Sequence, residues 1–163
     1  MPNHDMEESA MNLHVWNKLA HPGRKIRAVL DTDTYNEIDD QFAVAYAIGS
    51  PESIDIQALY AAPFHNSLSN GPADGMEKSY AEILRILPLV GKPDIPVYRG
   101  STTYLPADGG YVESEAARDL VKRAMASDAA DPLYVIAIGA ITNVASALLM
   151  EPSIADRIVI VWL

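Results

Sequence analysis

From residue 24 onward, short apolar runs alternate with helix-forming stretches, and this alternation limits the possible folds more than any other feature of the sequence. Residues 26–30, 54–60, 95–98, 133–138 and 157–163 read as strands, being rich in Ile, Val, Leu and Tyr. Residues 39–48, 76–90, 113–127 and 141–150 carry helical spacing between them. Ile83, Leu84, Ile86 and Leu87 are expected on the inner side of the second helix, and Leu120, Val121 and Ala124 on that of the third. Near-continuous apolar strands must be covered on both faces. The expected fold is therefore α/β, an open and mostly parallel sheet with helices on both faces. Pro96 restricts the third strand to an edge or a strand start.

The two ends of the chain read differently. Residues 1–24 are expected to be an extension, with an amphipathic helix over 6–20 that aligns Met11, Val15 and Leu19. Residues 25–163 are expected to form the α/β domain. Its last apolar run, through Leu163, looks like a central strand, so the domain is expected to be the front part of something larger.

Charge and composition narrow the function. A net charge of −10 argues against nucleic-acid binding, which needs clustered Lys and Arg. No cysteine is present, which removes thiolate metal sites and thiol nucleophiles. No apolar run approaches the roughly 18–20 residues of a membrane span. Asp5, Glu7 and Glu8 stand where a signal peptide would be cationic. A cytoplasmic chain without nucleic-acid or membrane partners is the expectation.

In open α/β sheets, ligands bind beyond the carboxyl ends of the strands. The first strand ends in five carboxylates within ten residues: Asp31, Asp33, Glu37, Asp39 and Asp40. Such crowding is tolerable when a cation or protons neutralise it, and an all-oxygen donor set selects a hard cation such as calcium or magnesium. The ordinary alternative has Asp39 and Asp40 starting a helix while Asp31 and Asp33 face water. The second strand is followed by His65 and Asn66, and the fourth by Gly139, Thr142 and Asn143. That last segment reads as a tight turn with Thr142 or Asn143 as helix cap, or as a turn whose carbonyls complete a cation shell. Tyr104, Tyr111 and the Gly109–Gly110 pair read as a surface loop.

The segment VLDTDTYNEIDDQFAVAYAI resembles the DTDPGxDDAxA signature of the inosine-uridine-preferring nucleoside hydrolases. IAIGAITNVASALLMEPSIADRIVIVWL is similar to that family's second conserved stretch, built around a G-x-x-T-N turn. The resemblance spans residues 26–163. It implies calcium-dependent hydrolysis of the N-glycosidic bond of ribonucleosides to free base and ribose, in purine and pyrimidine salvage. It implies that Asp33 binds calcium and acts as general base on the attacking water. Asp40 and the carbonyl of Ile138 are implied as further calcium ligands, Asp39 and Asn66 as ribose contacts, and Asp31 as support. A homo-oligomer is also expected.

Two departures stand out. Thr34–Glu37 replaces the shorter Pro-Gly of the usual motif. The family fold is about twice this length, so half a site, weak metal binding and little turnover are expected. Asp31-Thr32-Asp33 also resembles the nucleophile loop of haloacid-dehalogenase-type phosphatases, with Asp31 as nucleophile. A third reading is an inactive, calcium-binding module.

Overall fold

The computed structural model describes residue 16 and residues 18–163. Its strands are β1 (Ile26–Thr32), β2 (Ile54–Ala61), β3 (Val97–Arg99), β4 (Leu133–Ala137) and β5 (Ile158–Trp162). Its helices are α1 (Ile38–Ile48), α2 (Pro72–Leu89), α3 (Glu115–Met125) and α4 (Thr142–Met150), with a short 3-10 helix, Pro152–Arg157, leading into β5. The helix expected over 6–20 falls mostly outside the described residues; Trp16, Lys18 and Leu19 are helical.

All five strands pair in parallel, in the order β3-β2-β1-β4-β5. Alternate residues of each strand serve opposite faces, as the two-residue period of a strand requires. Leu30, Leu59 and Ala61 pack against Val44 and Ile48 of α1 and Met76 and Ile83 of α2. Val29, Tyr60, Val135 and Ala137 pack on the other face against Leu120 of α3, Val144 of α4 and Ile154. Expected and observed architecture agree.

Local differences have local causes. α2 starts at Pro72, earlier than expected, because Pro suits the first helical position and Gly71 takes the preceding residue at φ 140°. Gly75, inside α2, lies so close to the chain after β2 that a Cβ would stand 2.1 Å from the Phe64 carbonyl oxygen. Leu84, expected inside, is 45% exposed, while Ile83, Ile86 and Leu87 are buried. β3 lies at an edge of this sheet and Pro96 stands immediately before its first residue, so both positions that Pro96 allows are met. β5, expected to be central, lies at the opposite edge of this sheet, with Val161 and Trp162 exposed. Helix α1 also shows an exposed apolar stripe, Ile38, Phe42 and Tyr46, at every fourth position. No helix among the described residues is long and apolar enough to cross a membrane.

Candidate active site

β1 and β4 are neighbours in the sheet, yet α1 leaves β1 for one face and α4 leaves β4 for the other. Diverging connections of this kind open a crevice at the strand ends, the usual ligand position in such sheets. β1 delivers Asp31, Thr32 and Asp33 to it, and the turn after β4 delivers Ile138, Gly139 and Asn143. The Ile138 amide donates to the Asp31 carbonyl at 2.9 Å, extending the ladder past the end of β4. A Cβ on Gly139 would lie 2.6 Å from Asp33 Oδ1. The Asp33 carboxylate thus sits where any other side chain at 139 would go. Gly139→Ala is expected to displace Asp33 and to cost about 2 kcal/mol of stability, read by thermal melting; an unchanged melt would show that the carboxylate moves aside freely.

Asp33 is 6% exposed, and its Oδ2 accepts from Asn36 Nδ2 at 3.0 Å. Asp40 lies in the first turn of α1, 7% exposed, and its Oδ1 accepts from Thr32 Oγ1 at 2.7 Å. Thr32 spends its single proton on Asp40, so Thr34, 2.8 Å away, donates to Thr32 in turn. These two fully buried hydroxyls tie the helix start to β1.

Asp31 is the most enclosed of the acids, 1% exposed. Its Oδ1 accepts from Asn143 Nδ2 at 2.8 Å, and its Oδ2 has no partner among the described residues. Burial pushes its pKa up to about 7, against the Asn143 bond and with help from the charge of Asp33. Burial likewise raises Asp40 to about 6, opposed by the Thr32 bond and reinforced by Asp33, Asp39 and Glu37. Asp33 is raised for the same first reason, and its hydrogen bonds, including that from Asn36, pull the other way. Among the described residues, no Lys or Arg forms an ion pair with any of these three acids.

The remaining expected residues stand further out. Asp39 is exposed, and its Oδ1 accepts from the Asp40 amide at 3.2 Å. Glu37 occupies the N-cap of α1 with an exposed side chain that makes no capping bond. Asn66 meets Asp33 only through Asn36: its Nδ2 donates to Asn36 Oδ1 at 2.5 Å. His65, Tyr104 and Tyr111 are exposed.

Asn143 is not the helix cap it could have been. Ile141 holds that position, without a side-chain bond, and Asn143 points inward, fully buried. Beyond Asp31 it donates to the Ala61 carbonyl at 3.2 Å and accepts from Ser101 N and Oγ at 2.7 and 3.0 Å. Asn36, Thr32, Thr34 and Ser101 were not anticipated at all. Their signal, small polar residues inside or beside the two motifs, is weak because such residues are common in turns.

The donors suit a hard cation by type. Among the described residues, Asp33 and Asp40 are buried carboxylates that no Lys or Arg pairs with, and the missing side chain at Gly139 is what gives the Asp33 carboxylate its place. Among the described residues, however, no three His, Asp or Glu side chains gather closely enough to enclose a metal by themselves.

The sequence matches the family model of the inosine-uridine preferring nucleoside hydrolases over residues 28–163. A search of curated proteins gives no match. Among solved structures the chain is similar to a plant nucleoside hydrolase, with 23% identity, a TM-score of 0.63, and coverage of 86% of this chain and 48% of that one. It is similar to a purine-preferring ribonucleoside hydrolase from Gardnerella vaginalis, with 24% identity, a TM-score of 0.61, and coverage of 83% and 48%. An inosine-guanosine nucleoside hydrolase matches at 21% identity and a TM-score of 0.61, with coverage of 83% and 47%. At such identities the structural likeness speaks for the fold, and the chain spans about half the length of each of these proteins. The phosphatase reading is not favoured, since its nucleophile would be Asp31, which is walled in at 1% exposure. A match that begins within β1 and takes in both the acidic segment and the turn after β4 shows that the chain belongs to the inosine-uridine preferring nucleoside hydrolase family.

Proposed function

We propose that residues 25–163, after an extension over 1–24, supply the cation- and ribose-binding part of a calcium-dependent enzyme that hydrolyses ribonucleosides to free base and ribose. The supporting observation is the buried Asp33 carboxylate set against Gly139 at the ends of β1 and β4, with buried Asp40 tied to the same strand end by Thr32, in a member of this family. Asp33, Asp40 and the Ile138 carbonyl would hold the calcium, which when bound offsets their charge and acidifies a coordinated water.

Asp33 accepts the proton of the water that attacks the anomeric carbon. The glycosidic C–N bond breaks with its electron pair leaving on the base. Positive charge grows on the ribosyl ring as it does so, and the surrounding carboxylates stabilise it. Exposed Asp39 binds a ribose hydroxyl, and Asn66 has one amide proton left over for the sugar after its bond to Asn36. Asp31 stays behind them as support. Protonation of the departing base falls outside these residues, in keeping with a chain half as long as its structural relatives.

Calcium chloride titrated into the 15N-labelled chain, followed by ribose and then inosine, tests this reading. Amide shifts are expected at 31–40 and 138–143, with weak affinity and base release near background. Asp33→Asn and Asp40→Asn are each expected to weaken calcium binding at least tenfold, on the order of a lost direct ligand. Calcium shifts that avoid both segments would refute the proposal.

A further inference from the structure

The segment in which this chain departs from the usual motif holds a residue with a specific task. Asn36 engages Asp33 twice. Its backbone amide donates to the Asp33 carbonyl at 2.6 Å, closing a turn, and its Nδ2 donates to Asp33 Oδ2 at 3.0 Å. Its own amide is oriented from the far side, because Asn36 Oδ1 accepts from Asn66 Nδ2 at 2.5 Å. Asn66 is anchored in turn by the Leu68 amide, which donates to its Oδ1 at 2.8 Å. Flipping the Asn36 amide would set oxygen against the Asp33 carboxylate and nitrogen against the Asn66 NH2, so one orientation survives.

A chain of hydrogen bonds therefore runs from the loop after β2 to Asp33. Among the described residues it leaves Oδ1, beside Gly139, as the Asp33 oxygen without a side-chain donor. The donor is also neutral. A Lys or Arg at this place would hold the carboxylate equally well but would repel a divalent cation.

We propose that Asn36, braced by Asn66, is a positioning residue that fixes the Asp33 carboxylate in the orientation that receives the cation. The inference rests on the functional reading above and concerns residues which that reading leaves without a role or gives only a sugar contact.

The test uses the full chain and calcium chloride alone, followed by amide shifts, with melting temperatures recorded beside them. Asn36→Ala is expected to weaken calcium binding about tenfold, the usual size for an outer partner of a ligand, and Asn66→Ala about threefold. The double variant is expected to be no weaker than Asn36→Ala, because Asn66 acts through Asn36. A purely structural role would lower the melting temperature and leave affinity unchanged. Wild-type affinity in Asn36→Ala, or additive losses in the double variant, would overturn the inference while leaving calcium binding by Asp33 intact. No calcium response in the wild-type chain would sink the functional reading and this inference with it.

Discussion

Asn143→Leu is expected to destabilise the protein by ~4 kcal/mol and to lower its melting temperature by about 10 °C. Asn143 uses all of its hydrogen-bonding capacity: two donations, to Asp31 and the Ala61 carbonyl, and two acceptances, both from Ser101. Leucine has comparable bulk but offers none of these. Asp31, whose Oδ2 is already without a partner among the described residues, would lose the bond to its Oδ1, and the buried amide and hydroxyl of Ser101 would lose their acceptor. The loop after β3 would lose its anchorage too. Gly100 is packed so tightly there that a Cβ would come within 1.9 Å of the Ala61 oxygen and 2.5 Å of Asn143 Nδ2. Thermal melting followed by circular dichroism measures the effect. A drop of only 1 or 2 °C would mean that water or a shifted loop can replace Asn143. Asn143→Asp makes the companion case: its carboxyl can still accept from Ser101 and can share a proton with Asp31. It is therefore expected to be tolerated at pH 5 and to fail at pH 8, where two facing carboxylates would both ionise.

The fold was largely legible because strands and helices announce themselves by period, and here each apolar run is followed by a helical one. The grouping of residues at the candidate site was legible too. Asp31, Asp33 and Asp40 stand at the end of one such run, and Gly139 and Asn143 follow another. What periodicity does not carry is which strand lies beside which. An apolar run such as 158–162 shows that both faces can be covered, and whether it is central or at an edge depends on neighbours far away in sequence. The same limit hid the role of Asn143. Its bond to Asp31 joins residues 112 positions apart, while its local sequence, at the start of a helix, suits a cap equally well. Asn36 and Asn66, 30 positions apart, were obscured in the same way. Leu84 shows a finer version of the problem. The inward face of α2 is narrower than its run of apolar residues, so one of four neighbouring positions had to face water.

The metal-free protein is expected to lose stability as pH rises from about 4.5 to 8, with Asp31 alone accounting for about 3 kcal/mol. The sign follows from burial. An aspartate in the unfolded chain ionises near 3.8, whereas folded Asp31 does so at about 7 and folded Asp40 at about 6. Below 3.8 both states are protonated and the native preference for the proton contributes in full. Above it the unfolded chain releases its protons while the folded one retains them. The advantage is lost progressively until pH passes about 6 for Asp40 and about 7 for Asp31. Asp33 adds to the same trend. Asp74, Asp128 and Glu151, whose pKa values are lowered by hydrogen bonds, act in the opposite sense, but only as pH falls below the ordinary carboxylate range. Melting temperatures measured in chelator across this interval should therefore decline toward alkaline pH. Asp31→Asn should flatten the upper part of the curve and leave the part that ends near the Asp40 value. If the proposed calcium site is present, calcium added at pH 8 should recover much of the loss and do little at pH 5, because it would bind the ionised carboxylates and have to displace their protons. A melting temperature that rises between pH 5 and 8 without metal would show that these acids ionise at no cost to the fold, and the need for a cation between β1 and β4 would disappear with that cost.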